Sequence, residues 1–305
     1  MEEMKYIYGH GSGNHFVMID AVDTELDTNS AAVEVRRICR LFGSDGLLFV
    51  EHLGADNYAM NMYNTDGTQA EMCGNGMRLV ARFVDENYLG KGSFTLFSAD
   101  APYRIHRAER VSDHIPNYGV EIPIKLSTSD FAVTTEPFID ECIEPLHESL
   151  RFTYLNLGNP HIVARVEQID LDLLSALGER VKELTEIFPK GVNVSMMTTI
   201  SEGEIFVATY ERGVGLTPSC GTAMTASSTA AALMGLCRYD SPICVRNRGG
   251  FVKCICHRGE SGEITTQLIG NATYVERGVI DGDYQRRVES VESEEIEAWN
   301  SLISE

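Results

Sequence analysis

YNTDGTQAEMCGNGMRLVAR, Tyr63 to Arg82, sets Cys73 in a run of small and polar residues and then switches to a helical pattern. Met77, Leu79, Val80, Phe83 and Val84 recur at helical spacing, with Arg78, Arg82 and Asp85 between them. Cys73 therefore falls at or just before a helix N-terminus. The backbone N–H groups of Gly74, Asn75 and Gly76 have no intrahelical partner there. They can hold a carboxylate, and the same dipole favours a thiolate over a thiol.

Tyr210 to Gly235, YERGVGLTPSCGTAMTASSTAAALMG, repeats the plan: a Tyr, a Gly-containing loop, Cys-Gly, then a helix of small residues. Tyr63 to Cys73 and Tyr210 to Cys220 are both ten residues. Gly13-Asn14-His15-Phe16-Val17 parallels Gly158-Asn159-Pro160-His161-Ile162. Asn14 lies 59 residues before Cys73, and Asn159 lies 61 before Cys220. A repeat this long is no solenoid period. It predicts two homologous domains related by a pseudo-twofold, with a ligand between them and one cysteine from each side.

Residues 4–20 read as strand, Gly-rich turn, strand, and 30–41 as an amphipathic helix containing Cys39. Strands follow at 47–53 and 58–63, the latter delivering Asn64 to its end. The Cys73 helix runs to about Leu89, and strands at 94–98, 102–108 and 117–124 follow in antiparallel order. Residues 123–152 carry little organised signal, and the crossover is placed near their start. A strand pair at 152–168, a helix at 171–187, and strands beginning at Asn193 and Ile205 lead to the Cys220 helix, which ends near Cys237. Strands at 243–246, 250–257, 263–269 and 272–281 and an amphipathic tail at 290–303 complete the chain. Strands in runs with few helices exclude a doubly wound parallel sheet. The class is α/β of the α+β kind. The expected domains are 1–124 with about 273–290, and 125–272, with 291–305 as a tail.

The 305 residues exceed what one core usually fills. Composition is ordinary, 43% apolar and 23% charged. A net charge of −20 argues against a nucleic-acid partner, because phosphate contacts need a basic face, and otherwise reads as solubility. There is no apolar run near the length of a membrane span, and MEEMKYIYGHGSGNHF lacks the pattern of a secretory signal, so a cytoplasmic chain is expected. Eight cysteines without such a signal read as free thiols. Cys237, Cys244, Cys254 and Cys256 lack zinc spacing, and Cys254 and Cys256 fit one face of a strand. No metal site is expected. Gly9, Gly11 and Gly13 superficially suggest a nucleotide loop but lack its strand–helix context.

Two thiols at helix ends facing across a cleft suit one reaction. One takes the α-proton of an amino acid and the other returns a proton to the opposite face. Helix-end amides hold the α-carboxylate as charge develops, in a site dried by closure. His161 or Glu211 could assist in deprotonating a thiol. The alternatives are turn chemistry for Asn14 and Asn64, an ion pair for Glu211 and Arg212, and a hydrogen-bonded structural histidine for His161.

AEMCGNG at 70–76, GNPH at 158–161, YERG at 210–213 and CGT at 220–222 resemble the diaminopimelate epimerase family, as do GSGNHF at 11–16 and GSDGLLFV at 43–50. The resemblance runs from about residue 4 to about 280. It implies two α/β domains, each a curled, barrel-like, mostly antiparallel sheet around a central helix, with the last strand returning to the first domain. It also implies cofactor-independent interconversion of LL- and meso-diaminopimelate, in lysine and peptidoglycan precursor synthesis. A homodimer is left open. By that resemblance Cys73 and Cys220 are the acid/base pair. Asn14 and the backbone at Gly74, Asn75, Gly221 and Thr222 would hold the reacting end of the substrate. Asn64, Asn159, Asn193, Glu211 and Arg212 would hold the distal end, where Arg212 suits a carboxylate, Glu211 an ammonium, and the asparagines both.

The chain departs from the family pattern at His15 for Asp, at Leu216 for Glu, at Ala223 and Met224 for Gly and Ala, and at Asn271 for Pro. A related amino-acid racemase with another substrate and a catalytically impaired binding protein on the same fold are the competing readings. No Cys–His–Asn order supports a thiol hydrolase.

Overall fold

The computed structural model describes residues 3–21, 31–99 and 101–304. In chain order the elements are β1 Met4–Gly11, β2 Asn14–Asp20, α1 Ala31–Phe42, β3 Gly46–Gly54, β4 Asn57–Asn64, β5 Gln69–Ala70 and α2 Gly74–Val84. Then come β6 Ser93–Ser98, β7 Ala101–Ser112, β8 Ile115–Ile124, β9 Glu141–Cys142, β10 Arg151–Asn156 and β11 Pro160–Arg165. They continue with α3 Leu171–Glu183, β12 Asn193–Ser201, β13 Glu204–Glu211, β14 Gly215–Thr217, α4 Gly221–Leu233, β15 Pro242–Asn247 and β16 Gly250–Arg258. The last are β17 Ile264–Asn271, β18 Thr273–Ile280, β19 Arg286–Val291 and α5 Ser293–Ser304. The chain divides into two compact units, Met1–Val120 with Ile269–Glu305, and Glu121–Leu268.

The first unit is built on the β1–β2 hairpin. β2 then pairs β3 in parallel, on either side of α1, β3 pairs β4 antiparallel, and β4 takes β6 in parallel. β1 carries β18 on its other edge, and β18 carries β19. The second unit repeats this order. β10 pairs β11 antiparallel, β11 takes β12 in parallel across α3, β12 pairs β13 antiparallel, and β13 takes β15 in parallel. The internal duplication read from two Cys-Gly sites thus extends to four successive strand pairings in each unit. The sheets are open, not closed into barrels.

Each unit buries one helix. In α2 every residue but Phe83 is buried, including Arg78 and Arg82. In α4 the run Gly221–Ala232 is buried, and its small side chains allow close packing. Three hydroxyls of that run bond back into the helix, Thr225 to Gly221 O at 2.9 Å, Ser228 to Thr225 O at 2.9 Å and Thr229 to Thr225 O at 2.8 Å, which offsets the cost of burying them. The core of the first unit gathers Val17, Ile19, Val35, Ile38, Leu47 and Phe49 between α1 and the sheet, with Cys39 among them as expected.

Three differences from the sequence reading have local causes. The helix expected over 30–41 forms as α1, its expected first residue lying outside the described ones. The Cys73 helix stays α-helical only to Val84. Asp85–Leu89 is a wider turn in which Gly90 N–H reaches Asp85 O at 2.8 Å, and the Asp85 carboxylate takes Arg107, Tyr118 and the Gly92 amide. Residues 125–150 have almost no regular structure but are not loose. Phe131, Phe138, Ile143 and Leu146 enter the second core, and Phe131 stacks on Tyr154 at 4.6 Å. A strand not expected, β19, follows β18, and α5 buries Glu295 and Trp299.

Candidate active site

Cys73 caps α2. Its backbone is extended, φ −144° and ψ 106°, and its sulfur accepts the Gly76 N–H at 3.4 Å. An oxygen or sulfur acceptor at this position satisfies one of the orphan amides of the first turn. Asn75, buried one turn in, donates from Nδ2 to Asn14 Oδ1 at 3.2 Å. Asn14 donates in turn to Asp45 Oδ2 at 2.8 Å, and the same oxygen accepts the His15 N–H at 2.7 Å. Cys73, Gly74, Asn75 and Asn14 thus form one cluster. Asp45 was not singled out from sequence. Its turn, GSDG, reads only as turn chemistry until β2 and β3 pair and bring it to Asn14.

Asn64 lies opposite Gly46, next to Asp45, in the β3–β4 pair. Its Nδ2 donates to Thr68 Oγ1 at 3.0 Å and its N–H to Thr68 O at 2.8 Å, closing the β4–β5 turn. His15 stacks between Tyr8 and His10 at centroid distances of 5.6 and 5.0 Å.

In the second unit Cys220 caps α4 with the same extended backbone, φ −131° and ψ 110°, but its sulfur makes no capping bond. It is buried and lies 3.4 Å from Thr222 Oγ1. Burial first, and then the adjacent Glu211 carboxylate, push its thiol well above the ordinary range. At Cys220 these effects oppose the thiolate that a helix end favours. Desolvation and a neighbouring carboxylate outweigh a helix-end effect worth about 0.3–1 kcal/mol. Glu211 also accepts from Thr217 Oγ1.

The remaining residues join this cluster in a chain. Asn159 reaches Thr222 Oγ1 at 3.4 Å and His161 Nε2 at 3.1 Å. Asn193 accepts the Arg212 N–H at 2.9 Å and donates to Pro160 O at 3.2 Å, with His161 Nε2 at 3.5 Å. The parallel register that pairs His161 with Asn193 produces the meeting. His161 is fully buried, and burial together with the Arg212 charge lowers it to about 3. It is neutral at ordinary pH, and its bonds to Asn159 and Asn193 orient both carboxamides. The Arg212 side chain is exposed, with one donor on Lys190 O. Leu216 is exposed opposite Tyr210, and Met224 Sδ accepts from Asn247.

All eight cysteines are free thiols, and Cys254 and Cys256 are buried on one face of β16. Among the described residues no group of three or more His, Cys, Asp or Glu is placed to hold a metal ion. None of their helices is long and apolar enough to cross a membrane.

The sequence model of the family described as diaminopimelate epimerase matches residues 6–99 and 153–275. The chain is 34% identical to the diaminopimelate epimerase of Clostridium acetobutylicum over 94% of this chain and 88% of that protein. It is 37% identical to the diaminopimelate epimerase of Enterococcus faecalis over 87% and 85%. Among solved structures it is similar in fold to a PhzF-family phenazine biosynthesis protein of Bacillus anthracis, with a TM-score of 0.66, 18% identity, and 92% and 100% of the two chains covered. A hydroxyproline epimerase of Agrobacterium vitis is similar at a TM-score of 0.62 and 14% identity, covering 92% of each chain. These two likenesses concern fold alone. Sequence motifs, duplicated architecture and relatives converge: the chain belongs to the diaminopimelate epimerase family.

Proposed function

We propose that this chain is an isomerase that interconverts LL- and meso-diaminopimelate by moving a proton at one α-carbon, with Cys73 and Cys220 as the two acid/base groups. The observation that carries the assignment of the pair is their equivalence. Each is the N-cap of the one buried helix of its unit, at the same place in a duplicated strand order. Inversion needs an acceptor and a donor on opposite faces of the carbon, and two such thiols supply them.

The roles differ in the resting state. Cys220 holds its proton, so it is the donor. Cys73, with its sulfur on the Gly76 amide, is the acceptor. The α-proton passes to Cys73, the C–H electron pair stays on the substrate as a carboxylate-delocalised carbanion, and the Cys220 proton closes the other face. Free amides at the starts of α2 and α4 stabilise the charge on the carboxylate. Glu211, adjacent to Cys220, would take the Cys220 proton when the reaction runs the other way. The Asn14 carboxamide and the backbone at Gly74, Asn75, Gly221 and Thr222 would hold the reacting end, and Asn64, Asn159, Asn193, Glu211 and Arg212 the distal end. The enzyme is proposed to work in the cytoplasm, in lysine and peptidoglycan precursor synthesis.

Proton NMR of LL-diaminopimelate with reduced protein in D2O tests this. The expected result is loss of the α-proton signal with appearance of the meso form. No exchange with folded, reduced protein would sink the assignment, and exchange with another amino acid alone would move it to a racemase of that substrate.

A further inference from the structure

Ser12 and Gly13 join β1 to β2 in a turn where both residues are left-handed, at φ 53° and 76°. Such turns match the twist of a hairpin, but the first position is ordinarily Asn, Asp or Gly, and Ser there is strained. Ser12 is also fully buried, so water does not satisfy its N–H. Asn271, at the end of β17, does. Its Oδ1 accepts the Ser12 N–H at 2.8 Å, and its Nδ2 donates to His10 O at 3.2 Å and to Thr273 Oγ1 at 2.8 Å.

The same residue reaches the catalytic helix. The Asn271 carbonyl accepts Arg78 Nε at 3.1 Å, and Arg78 Nη2 bonds both Ser12 Oγ and Asn75 Oδ1 at 3.0 Å. The turn is pressed onto the first turn of α2. A Cβ on Gly11 would lie 2.9 Å from Asn75 O and 3.1 Å from its Cα. Asn14, which follows the turn directly, bonds Asn75.

We infer that Asn271 is a positioning residue for the Cys73 half of the reaction, holding the Ser12–Gly13 turn and, through Arg78 and Asn75, fixing where Asn14 presents its carboxamide and where the first amides of α2 lie. The inference rests on the epimerase reading. A carboxamide is suited to the task because it offers an acceptor and two donors in one plane, where Asp offers acceptors only and Ala neither.

The test compares Asn271→Ala and Asn271→Asp in the full chain, by steady-state epimerisation and by amide hydrogen exchange over residues 7–18. For Asn271→Ala, kcat falls about 10- to 100-fold, as for a misplacement of about an ångström, while KM stays within about threefold. Exchange at Ser12 and Gly13 rises at least about tenfold, and exchange around Cys220 does not change. Asn271→Asp, which keeps the Ser12 acceptor, loses less than Ala does. A folded Ala variant with kcat within about twofold of the parent, or one that loses kcat with Ser12 still protected, overturns the inference. If Ala does not fold, Thr273→Val removes one Asn271 partner at constant shape. A smaller change in the same two readouts supports the inference, and no change in either overturns it. A parent inactive on diaminopimelate overturns the epimerase reading instead, and the exchange comparison still decides whether Asn271 holds the turn.

Discussion

Cys73 and Cys220 occupy one position in a duplicated topology and two different electrostatic surroundings. Both cap a buried helix with extended backbone. Cys73 is half-buried, its sulfur on an amide. Cys220 is buried, uncapped, and beside Glu211. The contrast teaches that a helix N-terminus does not by itself set the charge of a thiol. The macrodipole contributes about 0.3–1 kcal/mol, whereas burying a charge without a partner costs several times more. In the proposed mechanism a retained proton on Cys220 makes it the donor.

The largest test of the pairing is removal of either sulfur. Cys73→Ala and Cys220→Ala should each lower turnover by at least about a thousandfold, the upper range for general acid–base groups. Full activity in either variant would break the equivalence of the two sites. Next comes reactivity. At pH 7.5 iodoacetamide should modify Cys73 at least about tenfold faster than Cys220, since the thiolate is the nucleophile and Cys220 is both protonated and covered. Peptide mapping reads the ratio, and equal rates would contradict the asymmetry. Glu211→Gln removes the carboxylate that helps hold the Cys220 proton, so its alkylation should speed up roughly threefold to tenfold while Cys73 is unchanged. An unchanged Cys220 rate would leave burial as the whole cause.

The smallest expected effect concerns something the two units share. Each buries a neutral histidine, His10 and His161, both lowered to about 3 from 6.5 by burial. On acidification the unfolded chain takes up protons that the folded chain does not. Their contribution to stability is therefore complete above about pH 6.5 and is lost as pH falls toward 3, at about 1.4 kcal/mol per pH unit for each group. Urea unfolding between pH 7 and pH 5 should give that slope, and His161→Gln should remove about one group's share. A slope unaffected by this substitution would mean that His161 is solvated in the folded protein.

The duplicated halves, the two helix starts and the strand ends carrying Asn64, Asn193 and Glu211 were legible because they depend on local pattern: period-2 and period-3.6 apolar spacing, Gly and Cys-Gly punctuation, and equal intervals. Asp45 was not, since only the parallel register of β2 and β3 brings it to Asn14. The packing of residues 125–150 was not, because Phe131 and Phe138 enter a core with no periodicity to announce them. Asn271 read as a departure from the family pattern. Its tie to Ser12 spans 259 positions of chain, beyond any window of sequence.

Residue types and their spacing determined which groups could do the chemistry: two thiols at helix starts, carboxamides, one Glu and one Arg. Tertiary structure decided their states. The proton on Cys220 and the neutrality of His161 follow from desolvation and from partners distant along the chain. These energies depend on the distance and solvent around each atom, which no neighbouring residue along the chain specifies.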